Sequence, residues 1–225
     1  MTARRRLRAT GLCALTSTLL LAACDDANPP SPVPSTPNPA KPVSLAPSSY
    51  LLRADQMPGY TRSSQTLSAG SLGDEQGDPS LKPTLEAQGM QYGARYTYSE
   101  PQNVRSLAFT QVVTEAILFN DATGAGQFLA GERVRRNVPP TNGGSVAPVT
   151  DFAATNADEV VGFSARPPAG DAATTVPPQT WLVVARRGRV VVELLGAGFA
   201  EQATRAQFDT LLSMQETLLL VPPGG

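Results

Sequence analysis

The chain has 225 residues, enough for about one domain in addition to a leader and a linker. It contains no histidine and only two cysteines, Cys13 and Cys24, so the chain after Cys24 lacks the side chains of Cys/His metal sites, of disulfides and of Ser-His-Asp or Cys-His hydrolases. The net charge is −1, and loss of the four arginines among the first eight residues would leave 14 basic against 19 acidic side chains, a balance that argues against a nucleic-acid partner.

Residues 1–23 have the layout of a bacterial signal peptide. Arginines between Arg4 and Arg8 precede an apolar run, Leu12 to Ala22, that is shorter than the roughly 20 residues needed by a membrane-spanning helix. Leu21-Ala22-Ala23-Cys24 resembles the lipobox of bacterial lipoproteins, and the resemblance implies cleavage between Ala23 and Cys24 and transfer of a diacylglyceryl group to the Cys24 thiol. Two acyl chains give stable anchoring, so we predict a protein on the extracytoplasmic face of the cell membrane. A soluble secreted protein cleaved after Ala23 is the alternative.

Residues 24–47 form the second predicted segment, a disordered linker that begins at the lipidated cysteine. Proline recurs every two or three residues among Ser, Thr and Asn, and this composition buries too little apolar surface to fold. It favours polyproline II at about 3.1 Å per residue, which would hold the domain up to roughly 70 Å from the membrane. A single α+β domain is predicted for residues 48–221.

The first part of this domain is predicted to alternate helical turns, strand and loop. A short helix is expected over residues 48–57, ended by a Pro-Gly pair, and an edge strand over residues 60–67. Residues 69–80 are rich in Gly, Asp and Ser, which indicates a loop. A second short helix is expected over residues 82–88.

The middle of the domain carries its longest predicted elements. Alternation from Tyr92 to Tyr98 predicts a strand with an aromatic face, and the run Leu107–Phe119 is apolar on both faces, as in a central strand. Asn120-Asp121 caps a helix that runs to about residue 136. Gly124-Ala125-Gly126 opens that helix, but the third glycine of a dinucleotide fingerprint is missing, so we interpret the pair as a site of close packing.

The last part of the domain is predicted as loop, strand, hairpin and helix. Residues 137–157 read as loop, residues 159–166 as a strand, and residues 200–220 as the final helix. The hairpin is predicted to turn at Arg187-Gly188 and to pair Val184 with Val191. One face of it is wholly apolar and is expected in the core: Trp181, Val183, Ala185, Val190, Val192 and Leu194.

This order of helices and strands predicts an antiparallel β-sheet packed by helices, the α+β class. Over residues 48–221 it resembles the small α+β domains of actinobacterial lipoproteins such as the LpqN-type group. The resemblance implies a PsbP-like fold. The sequence shows no internal repeat.

Glu115 is the candidate polar site of the domain. It lies among apolar neighbours in the predicted central strand, and a buried carboxylate must be paired or change its pKa. Arg95, in the preceding strand, is the candidate partner. We predict a structural ion pair, with a catalytic acid as the alternative.

Aromatic and arginine side chains supply the other candidate contacts. Tyr92, Tyr96 and Tyr98 can line a ligand pocket together with Trp181, although core packing is the preferred interpretation of these rings. Arg187, at the tip of the hairpin, can contact anionic headgroups, although a solvated charge is the preferred interpretation there.

These observations favour a membrane-anchored, non-catalytic binding or accessory domain. Its partner would be an envelope protein, another cell-envelope component or a small apolar ligand, and no residue is assigned to catalysis, to a metal or to a cofactor. One alternative is an enzyme that uses carboxylates with Glu115 as the acid, although the spacing places no second carboxylate beside it. The other is a sensor or inhibitor domain that acts through the hairpin tip. We expect a monomer.

Overall fold

Seven strands and four α-helices make up the part of the chain described by the computed structural model, residues 46–75, 78, 80–102, 107–138, 144–166 and 178–220. Two 3-10 turns, Pro47–Tyr50 and Ala54–Gln56, precede them. In chain order the elements are β1 (Thr61–Leu67), α1 (Ala69–Glu75), α2 (Leu81–Ala87), β2 (Met90–Ser99), β3 (Gln111–Phe119), α3 (Ala122–Arg136), β4 (Ser145–Val149), β5 (Glu159–Arg166), β6 (Pro178–Arg187), β7 (Val190–Phe199) and α4 (Arg205–Leu220).

The strands form one sheet in the order β1-β2-β3-β7-β6-β5-β4, and every neighbouring pair is antiparallel. The α+β prediction is therefore confirmed. β3 and β7 lie at the centre and are apolar on both faces, as their runs of Val, Ile and Leu require. β1 lies at one edge, as predicted, and is exposed along six of its seven residues.

Helices cover both faces of the sheet, so the domain has two cores. On the first face, hereafter the α4 face, Phe208, Leu212 and Leu218 of α4 pack on the apolar side chains of the β6–β7 hairpin. On the second, hereafter the α3 face, Phe128 and Leu129 of α3 and the leucines of α1 and α2 pack on the alternate residues of the same strands. Side chains that alternate along a strand point to opposite faces, which is why adjacent valines enter different cores.

The start of α3 packs closely against the end of α2. Asp121 caps the helix, because its carboxylate accepts a hydrogen bond from the backbone N–H of Gly124 at 2.9 Å. A Cβ atom on Gly124 would lie 1.8 Å from the carbonyl oxygen of Gln88, so only glycine fits there. The interpretation as a packing site therefore holds for Gly124 but not for Gly126, where the nearest atom to an added Cβ is Arg186 Nε at 3.9 Å.

Three predicted elements differ in type from the structure, and two begin later than predicted, β3 at Gln111 rather than Leu107 and α4 at Arg205 rather than Ala200. The helix predicted over residues 48–57 is replaced by the two 3-10 turns, and the completely buried Leu51 and Leu52 lie between these turns, where Leu51 has an extended backbone. The predicted loop 69–80 contains α1, which the Ser68 side chain caps and the buried Leu72 holds on the core. The predicted loop 137–157 contains β4, whose Pro148 is tolerated because the strand lies at the sheet edge.

The hairpin turns one residue later than predicted. Its loop is Gly188-Arg189, and Gly188 has φ of 54°, the positive value that primed turns require at their first position and that glycine adopts at little cost. Val184 therefore pairs with Glu193 rather than with Val191. Each residue is therefore paired with a partner two positions away from the predicted one. Because side chains alternate between the two faces of a sheet, every side chain still points to the face that was predicted for it. The apolar face predicted for the hairpin is accordingly found in or packed against the α4-face core.

Candidate functional site: a buried ion-pair row and the cavities beside it

A row of polar side chains crosses the α3 face of the sheet. The strand register places Gln65 of β1 beside Arg95 of β2, Arg95 beside Glu115 of β3, and Glu115 beside Glu193 of β7. Directly opposed residues of neighbouring strands project to the same face, so these four side chains form one continuous row. On both β3 and β7 the rest of this face is largely apolar.

Glu115 and Arg95 form the ion pair that the sequence predicted. The Nε and Nη2 atoms of Arg95 donate to Oε2 of Glu115 at 2.8 and 2.6 Å, and the Glu115 side chain is only 5% exposed. Arg95 also forms an ion pair with Glu75 at the end of α1. One guanidinium therefore links α1 to two strands of the sheet.

Glu193 is held from the other side by the last two turns of α3. Its carboxylate accepts from Nη2 of Arg136 at 3.3 and 3.4 Å. Arg136 also donates through Nε to Glu132 at 2.9 Å, and Arg135 forms a further ion pair with Glu132, whose side chain is 1% exposed. The sequence placed Arg136 in the last turn of the helix and Glu193 in the hairpin, but it did not predict their ion pair and assigned no role to Glu132. The signal that could have found Glu193 is its place as the only charged residue in the apolar run Val190–Leu195.

The two opposed carboxylates do not titrate like exposed glutamates. Burial and the neighbouring Glu193 carboxylate raise the pKa of Glu115 from 4.5 to about 7, although Arg95 acts to lower it. Burial also raises the pKa of Glu193, against the Arg136 guanidinium. The Glu193 carboxylate in turn raises the pKa of Arg136 above its ordinary value. Together with its ion-pair partners Glu75, Glu132, Arg135 and Arg136, the row contains four carboxylates and three guanidiniums, and this excess of negative charge favours protonation of one member of the Glu115–Glu193 pair.

Two cavities lie beside this row, beneath the last turn of α3, and share the ring of Phe163. The first has a volume of about 400 Å³ and lies between Arg133, Asn137 and the ends of β4 and β5. The second has a volume of about 220 Å³ and is lined largely by apolar residues of four strands, including Val146, Leu182 and Leu195. Neither cavity is lined by Glu115 or Glu193. These spaces can accept a small apolar molecule without contact with the carboxylate pair.

The aromatic candidates do not meet in one pocket. The Tyr98 hydroxyl donates to the Leu52 carbonyl at 2.6 Å, and Trp181 Nε1 donates to the Ala203 carbonyl at 2.8 Å while its ring stacks on Phe208. Strands β3 and β7 lie between these two rings.

Tyr92 and Tyr96 occupy a separate place near the sheet edge. They line a groove of about 330 Å³ at the β1 edge, close to Pro47, and Tyr92 is 42% exposed. The guanidinium of Arg62 lies over the Tyr96 ring, 4.6 Å from its centroid. Among the tyrosine candidates, only these two therefore line a groove described here.

The remaining candidates are at the hairpin tip and in the leader. Arg187 is exposed and donates to the Asn156 carbonyl at 3.3 Å, and the N–H of the neighbouring Gly188 donates to Asp158 at 2.7 Å, so the tip is attached to the segment before β5.

Ala23 and Cys24 lie outside the described residues. In the described part of the chain no helix has both the length and the apolar character to cross a membrane, and no cluster of Asp or Glu side chains could hold a metal ion.

Comparison with known proteins gives no family assignment. No protein-family model matches the chain, and no curated protein matches it. The crystal structure of the extracellular domain of PknH from Mycobacterium tuberculosis aligns with 76% of this chain and 94% of its own, at 16% identity and a TM-score of 0.48. The crystal structure of DR_A0006 from Deinococcus radiodurans aligns with 72% of this chain and 99% of its own, at 15% identity and a TM-score of 0.14. Both TM-scores are below 0.5 and establish no shared fold.

Proposed function

We propose that the chain is a membrane-anchored extracytoplasmic lipoprotein, of the LpqN-type class, whose domain binds a small apolar ligand and catalyses no reaction. The observation that carries the binding role is the pair of cavities that share Phe163 beneath the last turn of α3. The sequence that supports the location is the leader with its lipobox, Leu21-Ala22-Ala23-Cys24.

The cavities have the composition expected of a site for an apolar molecule. Concave sites lined by apolar side chains with a few polar groups are the usual form of small-ligand sites. Here Val146, Leu182 and Leu195 provide the apolar wall of the smaller cavity, and arginines of α3 lie at its rim. The last turn of α3 is fixed over the site by the ion pairs of Arg136 with Glu132 and Glu193.

A carboxylate enzyme is the second candidate function. The structure favours it in one respect, because Glu193 supplies the second carboxylate beside Glu115 that the spacing of the sequence did not. Against it, Arg95 donates two hydrogen bonds to Glu115, and Arg136 donates two hydrogen bonds to Glu193. Both carboxylates are therefore already bound by guanidinium groups. A hydrolytic activity that is lost in Glu193→Gln, while the urea midpoint of that variant is unchanged, would favour the enzyme.

Binding can be tested by filling the smaller cavity. Ala165 lines it and Ala147, on β4, is exposed and does not, so Ala165→Trp and Ala147→Trp add the same ring inside and outside the site. We expect the parent chain and Ala147→Trp to enhance the fluorescence of an apolar naphthylamine dye, and Ala165→Trp to lose that enhancement. Equal enhancement by both variants, or none by the parent, would contradict the proposal.

The anchor can be tested independently at Cys24. We expect Cys24→Ala to lose incorporation of a labelled fatty acid and to leave the membrane fraction, since the thiol is the acceptor of the diacylglyceryl group in the proposed lipobox. Cys13→Ala, within the predicted leader, is the matched control and should be labelled normally. Label that persists in Cys24→Ala would refute the lipid anchor but would leave the binding proposal intact.

A further inference from the structure

A further cleft lies beside α4. It has a volume of about 350 Å³ and lies between α4 and the segment that follows β4. Three of the residues that line it are acids and one is a base, and the rest are small, polar or apolar: Asp151, Ala153, Thr155, Arg205, Asp209, Leu212, Ser213 and Glu216. None of these residues lines the two cavities that share Phe163.

Glu216 is the buried acid of this cleft. The residue is only 6% exposed, and its Oε1 atom is buried without a hydrogen-bond partner in the structure. Burial raises the pKa of Glu216, while the backbone amides of Asn156 and Thr155 act to lower it. Buried carboxylate oxygens are nearly always satisfied by a donor, so an unpartnered one in a cleft indicates that a donor from outside the chain can bind there.

The other two acids share one internal cation at the edge of the cleft. Arg205 donates to Oδ1 of Asp151 at 3.0 Å and to Oδ1 of Asp209 at 2.8 Å. Its guanidinium is fixed in this position by the ring of Phe152, whose centroid lies 3.8 Å from Cζ. Arg205 is thus bound by Asp151 and Asp209 at the edge of the cleft. The cleft carries three carboxylates against one guanidinium and favours a cationic ligand.

We propose that this cleft is a second binding site, specific for a small organic cation with a primary ammonium group. An ammonium has three donors and no acceptor, which suits the buried, unpartnered Oε1 of Glu216 and a cleft that also contains the hydroxyl-bearing residues Thr155 and Ser213. A volume of about 350 Å³ corresponds to roughly twelve water-sized groups at ~30 Å³ each, so a short alkyl diamine fits within it. The second ammonium would then lie near Asp151 and Asp209.

The proposal can be tested with diaminobutane on the isotope-labelled full-length chain. We expect the amine to shift the amide resonances of Thr155, Asn156 and Ser213 at neutral pH, and butanediol, the uncharged analogue, to leave them unchanged. Glu216→Gln keeps the shape of the side chain and removes its charge, and we expect it to weaken binding at least about tenfold. Glu86→Gln, at an exposed position of α2, makes the same charge change on the opposite face and should bind as the parent does.

A second variant keeps the test decisive if Glu216→Gln folds poorly. Ser213 is exposed and lines the cleft, so Ser213→Arg can place a cation in the site without altering the core. We expect this variant to lose the diamine-induced shifts while its other resonances match those of the parent. Equal shifts by butanediol, or unchanged diamine affinity in Ser213→Arg, would overturn the proposal. Absence of any diamine binding by the folded parent chain would overturn it too.

Discussion

Glu115 lies between a guanidinium and a second carboxylate, and this position determines its chemistry. Arg95 binds it from β2 through two hydrogen bonds, and Glu193 lies opposite it on β7. Removal of Arg95 would leave an uncompensated buried acid, whereas protonation of the pair removes the repulsion between its members. The residue therefore stabilises the fold in its protonated state more than in its ionised state.

The pH dependence of stability should show this effect with a definite sign. Because the folded-state pKa of Glu115 is raised to about 7 from 4.5, the folded chain binds more protons than the unfolded chain between these values. Stability from this group is complete below about pH 4.5 and falls, by up to about 3 kcal/mol, as the pH rises to about 7. We expect urea midpoints to decrease over this range in the parent and to decrease less in Glu193→Gln, which removes the opposed charge. If the urea midpoint falls equally steeply with pH in Glu193→Gln and in the control Glu86→Gln, the predicted effect of the Glu193 charge on Glu115 would be contradicted.

Trp181 should be among the side chains most important for stability. Its ring packs on Phe208 and lies beneath the Arg205 guanidinium, and its Nε1 donates to the Ala203 carbonyl at 2.8 Å. We expect Trp181→Ala to cost about 3 kcal/mol in the free energy of unfolding, whereas the exposed Arg187→Ala should cost within about 0.5 kcal/mol. Urea denaturation of both variants checks the ranking. A near-zero cost for Trp181→Ala would show that the indole contributes little to the core.

At the scale of elements, the residue pattern predicted correctly those elements whose local preference agrees with their tertiary packing. The runs of Val, Leu and Ile in β3, β6 and β7 alternate between two buried faces, and their assignment as strands is confirmed. The weak local propensities of α1, with two glycines, and of β4, with Pro148, did not predict their structures, because burial of Leu72 and pairing with β5 determine them. Glu193 could not be placed beside Glu115 without the order of the strands, since 78 positions separate them in the chain.

The turn of the β6–β7 hairpin provides a test of element geometry. Gly188 has φ of 54° and no atom within 4 Å of a Cβ built on it, so Gly188→Ala would introduce backbone strain without a steric clash. We expect this change to destabilise the chain by about 1 kcal/mol. Gly126→Ala, in the ordinary helical backbone of α3 and with its nearest neighbour at 3.9 Å, should instead stabilise it by about 0.5–1 kcal/mol. Thermal or urea unfolding that gives both changes the same sign would contradict the hairpin geometry.

At the scale of the whole molecule, the charged row and the proposed ligand site belong to the same layer. Glu75 at the end of α1 and Arg136 at the end of α3 both reach the row on the sheet, so ion pairs attach both helix ends to the sheet. The cavities that share Phe163 lie just beyond the end of α3. The α4 face carries its own core, and the acidic cleft lies beside α4. The smaller cavity and the cleft share no lining residue, whereas Phe152 lines the larger cavity and also contacts the Arg205 guanidinium of the cleft.

The beginning of the folded domain can be located by two deletions. The buried members of both cores begin at Leu51, and Pro47 is the one buried residue of the first 3-10 turn, so deletion of residues 1–45 should leave a monomer that unfolds cooperatively.

Deletion of residues 1–52 should instead destabilise the chain severely. It removes Leu51 and Leu52, which are both 0% exposed, together with the Leu52 carbonyl that accepts the Tyr98 hydroxyl at 2.6 Å. Truncation of a buried leucine costs about 2–5 kcal/mol, against a total stability of roughly 5–15 kcal/mol for a typical domain. Size-exclusion chromatography with urea denaturation would compare the two chains. Equal urea midpoints would show that the segment before β1 is not part of the core, because the second deletion would then have removed nothing on which the fold depends.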